Sequence, residues 1–74
     1  MRIITYKAQS VKNDADYFRR LVIKELGKDC YVEVHQPVNI VRFRFPSGLD
    51  EKELEKLDKI MKEEIRGRRV EDVG

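Results

Sequence analysis

The sequence of 74 residues contains one cysteine, one histidine and no tryptophan. A single cysteine, Cys30, excludes an intramolecular disulfide, and Cys30 with His35 cannot supply the ligands of a structural zinc site. No apolar run approaches the roughly 20 residues of a membrane span, and the N-terminus is too interrupted for a signal-peptide core. We therefore expect a cytoplasmic chain with no metal, no cofactor, no membrane segment and no small-molecule substrate.

Hydrophobic and charged residues each make up 41% of the chain, which is typical of a folded globule. A domain of this size buries only about 60% of the surface that its unfolded chain exposes, so a homodimer would add stability. We predict one domain over residues 1–67 and a flexible C-terminal tail over residues 68–74.

Basic and acidic residues are unevenly distributed along the chain. Nine bases and five acids lie in residues 1–46, whereas seven bases and nine acids lie in residues 47–74. The net charge is only +2, so the total charge argues weakly for nucleic acid and the local arrangement matters more.

Three strands are indicated by short runs of β-branched and aromatic residues. The first is Arg2–Ala8, where the pattern leaves open which side faces the core. In the second, Cys30, Val32 and Val34 alternate with the other residues and are expected in the core. In the third, the core side is expected to carry Val41, Phe43 and Phe45.

Two amphipathic helices are predicted from apolar spacing and capping residues. The first follows Asn13 or Asp14 and ends at Gly27. Its stripe comprises Phe18, Leu21, Val22 and Leu26, widened by Tyr17 and Ile23. In the second, Asp50 and Glu53 form a capping-box pattern, Leu49 and Leu54 a hydrophobic staple, and Gly67 a stop. Its buried stripe is Leu54, Leu57, Ile60, Met61 and Ile65.

The fold class that follows is α+β, a two-layer domain of order βαββα. Both helices cover one face of a three-stranded sheet, because a right-handed crossover places the first helix on the same side as the second. In a ferredoxin-like arrangement lacking its last strand, the third strand is central and pairs with both others.

The second face of the sheet is left without a helix, and it is the first candidate binding surface. The alternation assigns to it Tyr31, Glu33, His35, Ile40, Arg42 and Arg44. From the first strand it receives either Ile3, Thr5 and Lys7 or Arg2, Ile4 and Tyr6. We take Tyr31, His35, Ile40, Arg42 and Arg44 as the candidate site on this face.

Three interpretations fit this surface. A protein or second copy could bind through its Tyr, Ile and Arg side chains, which suit interfaces. Single-stranded nucleic acid could stack on Tyr31 and pair with the arginines, although the aromatic pattern of an RNA-recognition sheet is absent. In the third interpretation, Arg42 and Arg44 merely solvate the face with Glu33 as cross-strand partner.

Catalysis is not indicated. Cys30 and His35 are separated by an odd number of residues on one strand, so they face opposite sides of the sheet and cannot form a dyad. A metal-independent ribonuclease using Tyr31, His35, Arg42 and Arg44 is conceivable, but a flat sheet lacks a cleft that excludes water. We therefore expect no enzyme.

Helix two offers a second candidate surface, an acidic ridge of Glu51, Glu55 and Asp58 that could dock on a basic partner. The spacing also predicts ion pairs four residues apart, Glu55 with Lys59 and Asp58 with Lys62. At its end, Arg66, Arg68 and Arg69 could contact phosphate.

The order βαββα, the Met1-Arg2-Ile3 start, the Val32-Glu33-Val34 strand and the charged closing helix from Asp50 together resemble the DNA-damage-inducible DinI family. That resemblance implies a small non-enzymatic regulator that binds a protein filament through its last helix. Glu51, Glu55, Asp58, Glu63 and Glu64 could carry this role, although here the helix is nearly charge-balanced. We therefore favour a non-catalytic regulatory module acting by protein contact, with nucleic-acid binding as the alternative.

Overall fold

The computed structural model describes residues 1–70. Its elements follow the order β-α-β-β-α-β, with a 3₁₀ turn over Gln36–Val38 between the second and third strands. The strands are β1 (Arg2–Lys7), β2 (Tyr31–His35), β3 (Ile40–Phe45) and β4 (Arg68–Val70), and the helices are α1 (Ala15–Leu26) and α2 (Glu51–Ile65).

The sheet has four strands in the order β2-β3-β1-β4, with every neighbouring pair antiparallel. The predicted α+β class is confirmed, and β3 lies between β1 and β2 as expected. The prediction of three strands was wrong, because Arg68–Val70, assigned to the tail, pairs with β1 as β4. The rest of the predicted tail, residues 71–74, lies outside the described residues. The completed topology is that of ferredoxin-like folds.

The core lies between the sheet and the two helices, and β3 supplies its centre. Val41, Phe43 and Phe45 are fully buried, as the alternation predicts. The register sets Ile4 opposite Phe43 and Tyr6 opposite Val41, so these two β1 residues also face the helices. The sequence pattern left open which alternate residues of β1 face the core, and the register decides this. Ile3, Thr5 and Lys7 belong to the face of the sheet that the helices do not cover, the helix-free face.

Local capping chemistry fixes where both helices begin. The Asp14 carboxylate accepts a hydrogen bond from the Tyr17 amide at the start of α1. At the start of α2, Asp50 and Glu53 form the full reciprocal capping box. The predicted stripe of α1 was too wide, since Phe18 and Val22 are buried. Tyr17 and Ile23 are instead exposed, because both lie at the margin of the face that meets the sheet.

The end of α2 differs from the predicted glycine stop. The left-handed residue is Arg66, with φ of 54°, and its amide donates to the Lys62 carbonyl. Gly67 follows in a conformation without positive φ, and its amide donates to the Met61 carbonyl. This tight exit turns the chain directly back along β1, which is how the short β4 is positioned.

Candidate binding surfaces

The helix-free face of the sheet carries all five residues of the first candidate site. The register places Tyr31, Arg44 and Ile3 in one row across β2, β3 and β1. The middle row contains Glu33, Arg42, Thr5 and Val70. The last row contains His35, Ile40, Lys7 and Arg68. The structure thus brings Tyr31, His35, Ile40, Arg42 and Arg44 together on one surface, as predicted.

Glu33 holds the cationic side chains of this face together. Its Oε1 lies 3.0 Å from Arg44 Nη2, and its Oε2 lies 3.8 Å from Arg42 Nη1. His35 Nε2 is 3.4 Å from the same Oε2. Arg42 Nε also donates to the hydroxyl of Thr5 at 3.3 Å. Glu33 therefore compensates part of the charge of Arg42 and Arg44 within the sheet, in agreement with its predicted cross-strand role.

The exposed apolar surface of the face is concentrated in its first row. Tyr31 is 67% exposed and Ile3 is 40% exposed, on either side of Arg44. Ile40, at the opposite end of β3, is half-buried. Tyr31 is the one aromatic ring of the described residues that points from this face toward solvent. The central strands β1 and β3 carry no aromatic ring on this face. The successive bases of a single-stranded nucleic acid would therefore have no aromatic platform on which to stack.

The acidic ridge of α2 is divided by the fold. Glu51 and Glu55 are exposed, but Asp58 is half-buried beneath β4. The Tyr6 hydroxyl donates to Asp58 Oδ1 at 2.6 Å, and Arg69 Nη2 lies 3.7 Å from Asp58 Oδ2. Of the acidic site residues Glu51, Glu55 and Asp58, only the first two remain available to a partner.

The two ion pairs predicted within α2 do not form among the described residues. Asp58 pairs with Arg69 of β4 instead of Lys62, since β4 lies directly beside this turn of the helix. No ion pair joins Glu55 to Lys59 in the same region. The spacing of charges along a helix could not anticipate this outcome, because the competing partner belongs to a strand that the sequence pattern assigned to the tail.

Cys30 and His35 are separated by the sheet, as the alternation predicts. Cys30 is 3% exposed in the core, and His35 is exposed on the helix-free face. Burial, with the nearby carboxylate of Asp29, raises the pKa of the Cys30 thiol to about 11. The thiol therefore remains protonated at neutral pH, and the nucleophilic thiolate is scarce.

Residues 1–70 contain neither a metal-binding cluster nor a helix that could span a membrane. No group of three or more His, Cys, Asp or Glu side chains in this part of the chain is arranged to hold a metal ion. None of the described helices combines the length and apolar character needed to cross a membrane.

A groove between the end of α2 and β4 gathers basic side chains that the sequence analysis did not bring together. Lys59, Lys62, Arg66 and Arg68 line it, together with Tyr6, Asp58, Glu63 and Arg69. We call Lys59, Lys62, Arg66 and Arg68 the basic groove residues, and the groove that they line the basic groove. The spacing of residues 59, 62 and 66 along one helix face could have revealed three of them. Arg68 joins them only through β4, which the sequence did not predict.

Compared with the profiles of known families, with curated proteins and with solved structures, the chain shows no significant match. The resemblance to the DinI family accordingly stays an expectation from the order of elements and the residues quoted above.

Proposed function

We propose that this protein is a non-catalytic binding module that contacts a protein partner through the helix-free face of its sheet. One observation carries the proposal: within residues 1–70, one face of the sheet is covered by no helix and exposes Tyr31 and Ile3 on either side of Arg44. Aromatic and arginine side chains beside apolar area are the residues enriched at protein interfaces. Because Glu33 already orients Arg44, little side-chain entropy is lost when a partner binds.

The charges of the face indicate what kind of partner it fits. Among the described residues it carries four basic side chains, Lys7, Arg42, Arg44 and Arg68, against one carboxylate, Glu33. Two copies placed face to face would oppose like charges, which weakens association. The face therefore suits a partner with carboxylates around an apolar centre better than it suits a second copy.

Single-stranded nucleic acid is the second candidate, and Lys7 and Arg68 favour it. Both are exposed at one end of the face, opposite each other on β1 and β4, and neither forms an ion pair within residues 1–70. Against it, Arg42 and Arg44 are paired with Glu33, and Tyr31, the one exposed ring of this face within residues 1–70, lies at its far corner. Protein contact explains more of the face.

A matched pair of substitutions tests the proposal. Ile3 on the helix-free face and Ile23 on α1 are both 40% exposed, so Ile3→Glu and Ile23→Glu introduce the same change on opposite sides of the molecule. We expect Ile3→Glu to abolish partner binding, because a carboxylate beside Arg44 breaks the apolar row. Ile23→Glu should bind as the unchanged protein does.

The measurement is affinity capture from cell extract with each of the three proteins as bait, quantified by mass spectrometry, after circular dichroism has shown that all are folded. Any captured protein is then purified and titrated against the variants. Sedimentation of the purified chain tests the homodimer. If the unchanged protein and Ile23→Glu sediment as dimers and Ile3→Glu as a monomer, the face is assigned to self-association. Equal capture by Ile3→Glu and Ile23→Glu would exclude the face as the interface.

A further inference from the structure

We propose a second, separate binding surface: the basic groove between α2 and β4 binds the phosphodiester backbone of nucleic acid without reading its sequence. The inference is independent of the proposed function, since the groove lies between α2 and the edge strand β4 and, of its lining, only Arg68 also belongs to the helix-free face. Its four members, Lys59, Lys62, Arg66 and Arg68, are all exposed.

Among residues 1–70, the lining of the groove carries more basic side chains than carboxylates. Asp58, one of the two carboxylates of its described lining, accepts a hydrogen bond from the Tyr6 hydroxyl and lies beside Arg69. Glu63 is the remaining carboxylate of its lining. Within residues 1–70, none of the four basic groove residues forms an ion pair. On the helix-free face, by contrast, Arg42 and Arg44 share Glu33.

Arg66 occupies a backbone position that disfavours it. A φ of 54° belongs to the left-handed region, where glycine is preferred, and Gly67 is the next residue along the chain. Strained positions of this kind concentrate at sites where the side chain is used. Arg66 lines the groove together with Lys62 and Arg68.

The lining of the groove favours phosphate over an acidic protein surface. Large hydrophobic side chains that are exposed elsewhere in the described chain, such as Tyr31 and Ile23, are missing from it. A protein partner would gain no apolar anchor there. Lys59 and Lys62 of α2, separated by a rise of about 4.5 Å, instead form a line of cations with Arg66 just beyond the end of the helix. Such a line matches a polymer with closely spaced charges, and arginine binds phosphate through two parallel hydrogen bonds.

The first test is fluorescence anisotropy of a labelled 20-nucleotide oligo(dT) titrated with the full chain at several salt concentrations. Four phosphate contacts to a single strand predict a slope of log K against log salt of about −2.8. In the triple variant Lys59→Ala, Lys62→Ala, Arg66→Gly, which leaves the helix-free face unchanged, we expect at least tenfold weaker binding at 50 mM salt and a slope near −0.7. A 20-base-pair duplex of mixed sequence shows whether a double strand binds as well.

The control is a triple variant with the same loss of charge away from the groove, Lys24→Ala, Lys52→Ala, Lys56→Ala. It should weaken binding less than threefold. The single variant Arg66→Gly separates binding from stability: its melting temperature should rise by a few degrees as the left-handed strain is relieved, while oligo(dT) binding weakens.

Three outcomes would overturn the proposal. These are no binding by the unchanged protein at 50 mM salt, equal weakening in both triple variants, and displacement of oligo(dT) by polyglutamate of the same length as readily as by unlabelled oligo(dT). The last result would assign the groove to acidic polypeptides, because carboxylates would then be bound as well as phosphates.

Discussion

Replacing Phe43 by alanine is expected to lower the free energy of unfolding by about 3 to 5 kcal/mol. Phe43 is fully buried on the central strand β3, between Ile4 of β1 and Val32 of β2. Its ring centroid lies 5.9 Å from that of Tyr6, edge to face, and 6.2 Å from that of Phe45. Truncation leaves a cavity that surrounding strands cannot close, since hydrogen bonds hold β3 on both sides.

Urea denaturation followed by circular dichroism measures this effect, with Tyr31→Ala as the matched control. Tyr31 is also an aromatic residue of the sheet, but it is 67% exposed on the opposite face. Its truncation should change the free energy of unfolding by less than about 0.5 kcal/mol. Equal losses in the two variants would contradict the assignment of faces on which both candidate surfaces depend.

The alternation of β3 explains why this part of the fold could be predicted from sequence. Val41, Phe43 and Phe45 share one parity, and Arg42 and Arg44 share the other, so a one-residue slip would bury two guanidinium groups. The caps were equally readable, because Asp14 and Asp50 act on amides within three residues. The five candidate residues of the helix-free face were placed correctly for the same local reasons.

The pairing of β4 with β1, which are far apart in the sequence, was not predicted. The strand β4 has three residues, two of them arginines, so it lacks the apolar alternation that marks a strand. It forms because Arg66 and Gly67 turn the chain beside β1, where Arg69 reaches Asp58. Consequently the loss of Asp58 from the acidic ridge, and the assembly of the basic groove, could not be derived from helix periodicity.

Tyr6→Phe should lower the free energy of unfolding by about 1.5 to 3 kcal/mol, the range for hydrogen bonds to charged groups. The Tyr6 side chain is fully buried, and its hydroxyl donates to the Asp58 carboxylate at 2.6 Å. Phenylalanine fills the same space but leaves the carboxylate one donor short. Tyr17→Phe is the control: it removes an exposed hydroxyl from Glu64 and should change stability little. Denaturation of both variants at pH 7 makes the comparison.

The Tyr6 hydroxyl also makes the free energy of unfolding depend on pH in the alkaline range. Burial, with the hydrogen bond to Asp58, raises the pKa of Tyr6 far above its ordinary value of 10.0. Above pH 10 the unfolded chain loses this proton while the folded chain retains it, so stability is complete below pH 10 and falls as pH rises. One proton corresponds to about 1.4 kcal/mol per pH unit. Between pH 10 and 11.5, the free energy of unfolding of Tyr6→Phe should fall less steeply than that of the unchanged protein, by up to about 1.4 kcal/mol per pH unit. Tyr17→Phe should show most of the decline of the unchanged protein. Parallel declines in Tyr6→Phe and the unchanged protein would show that the Tyr6 hydroxyl ionises as readily in the folded state, and that the link between β1, α2 and β4 through Asp58 does not hold in solution.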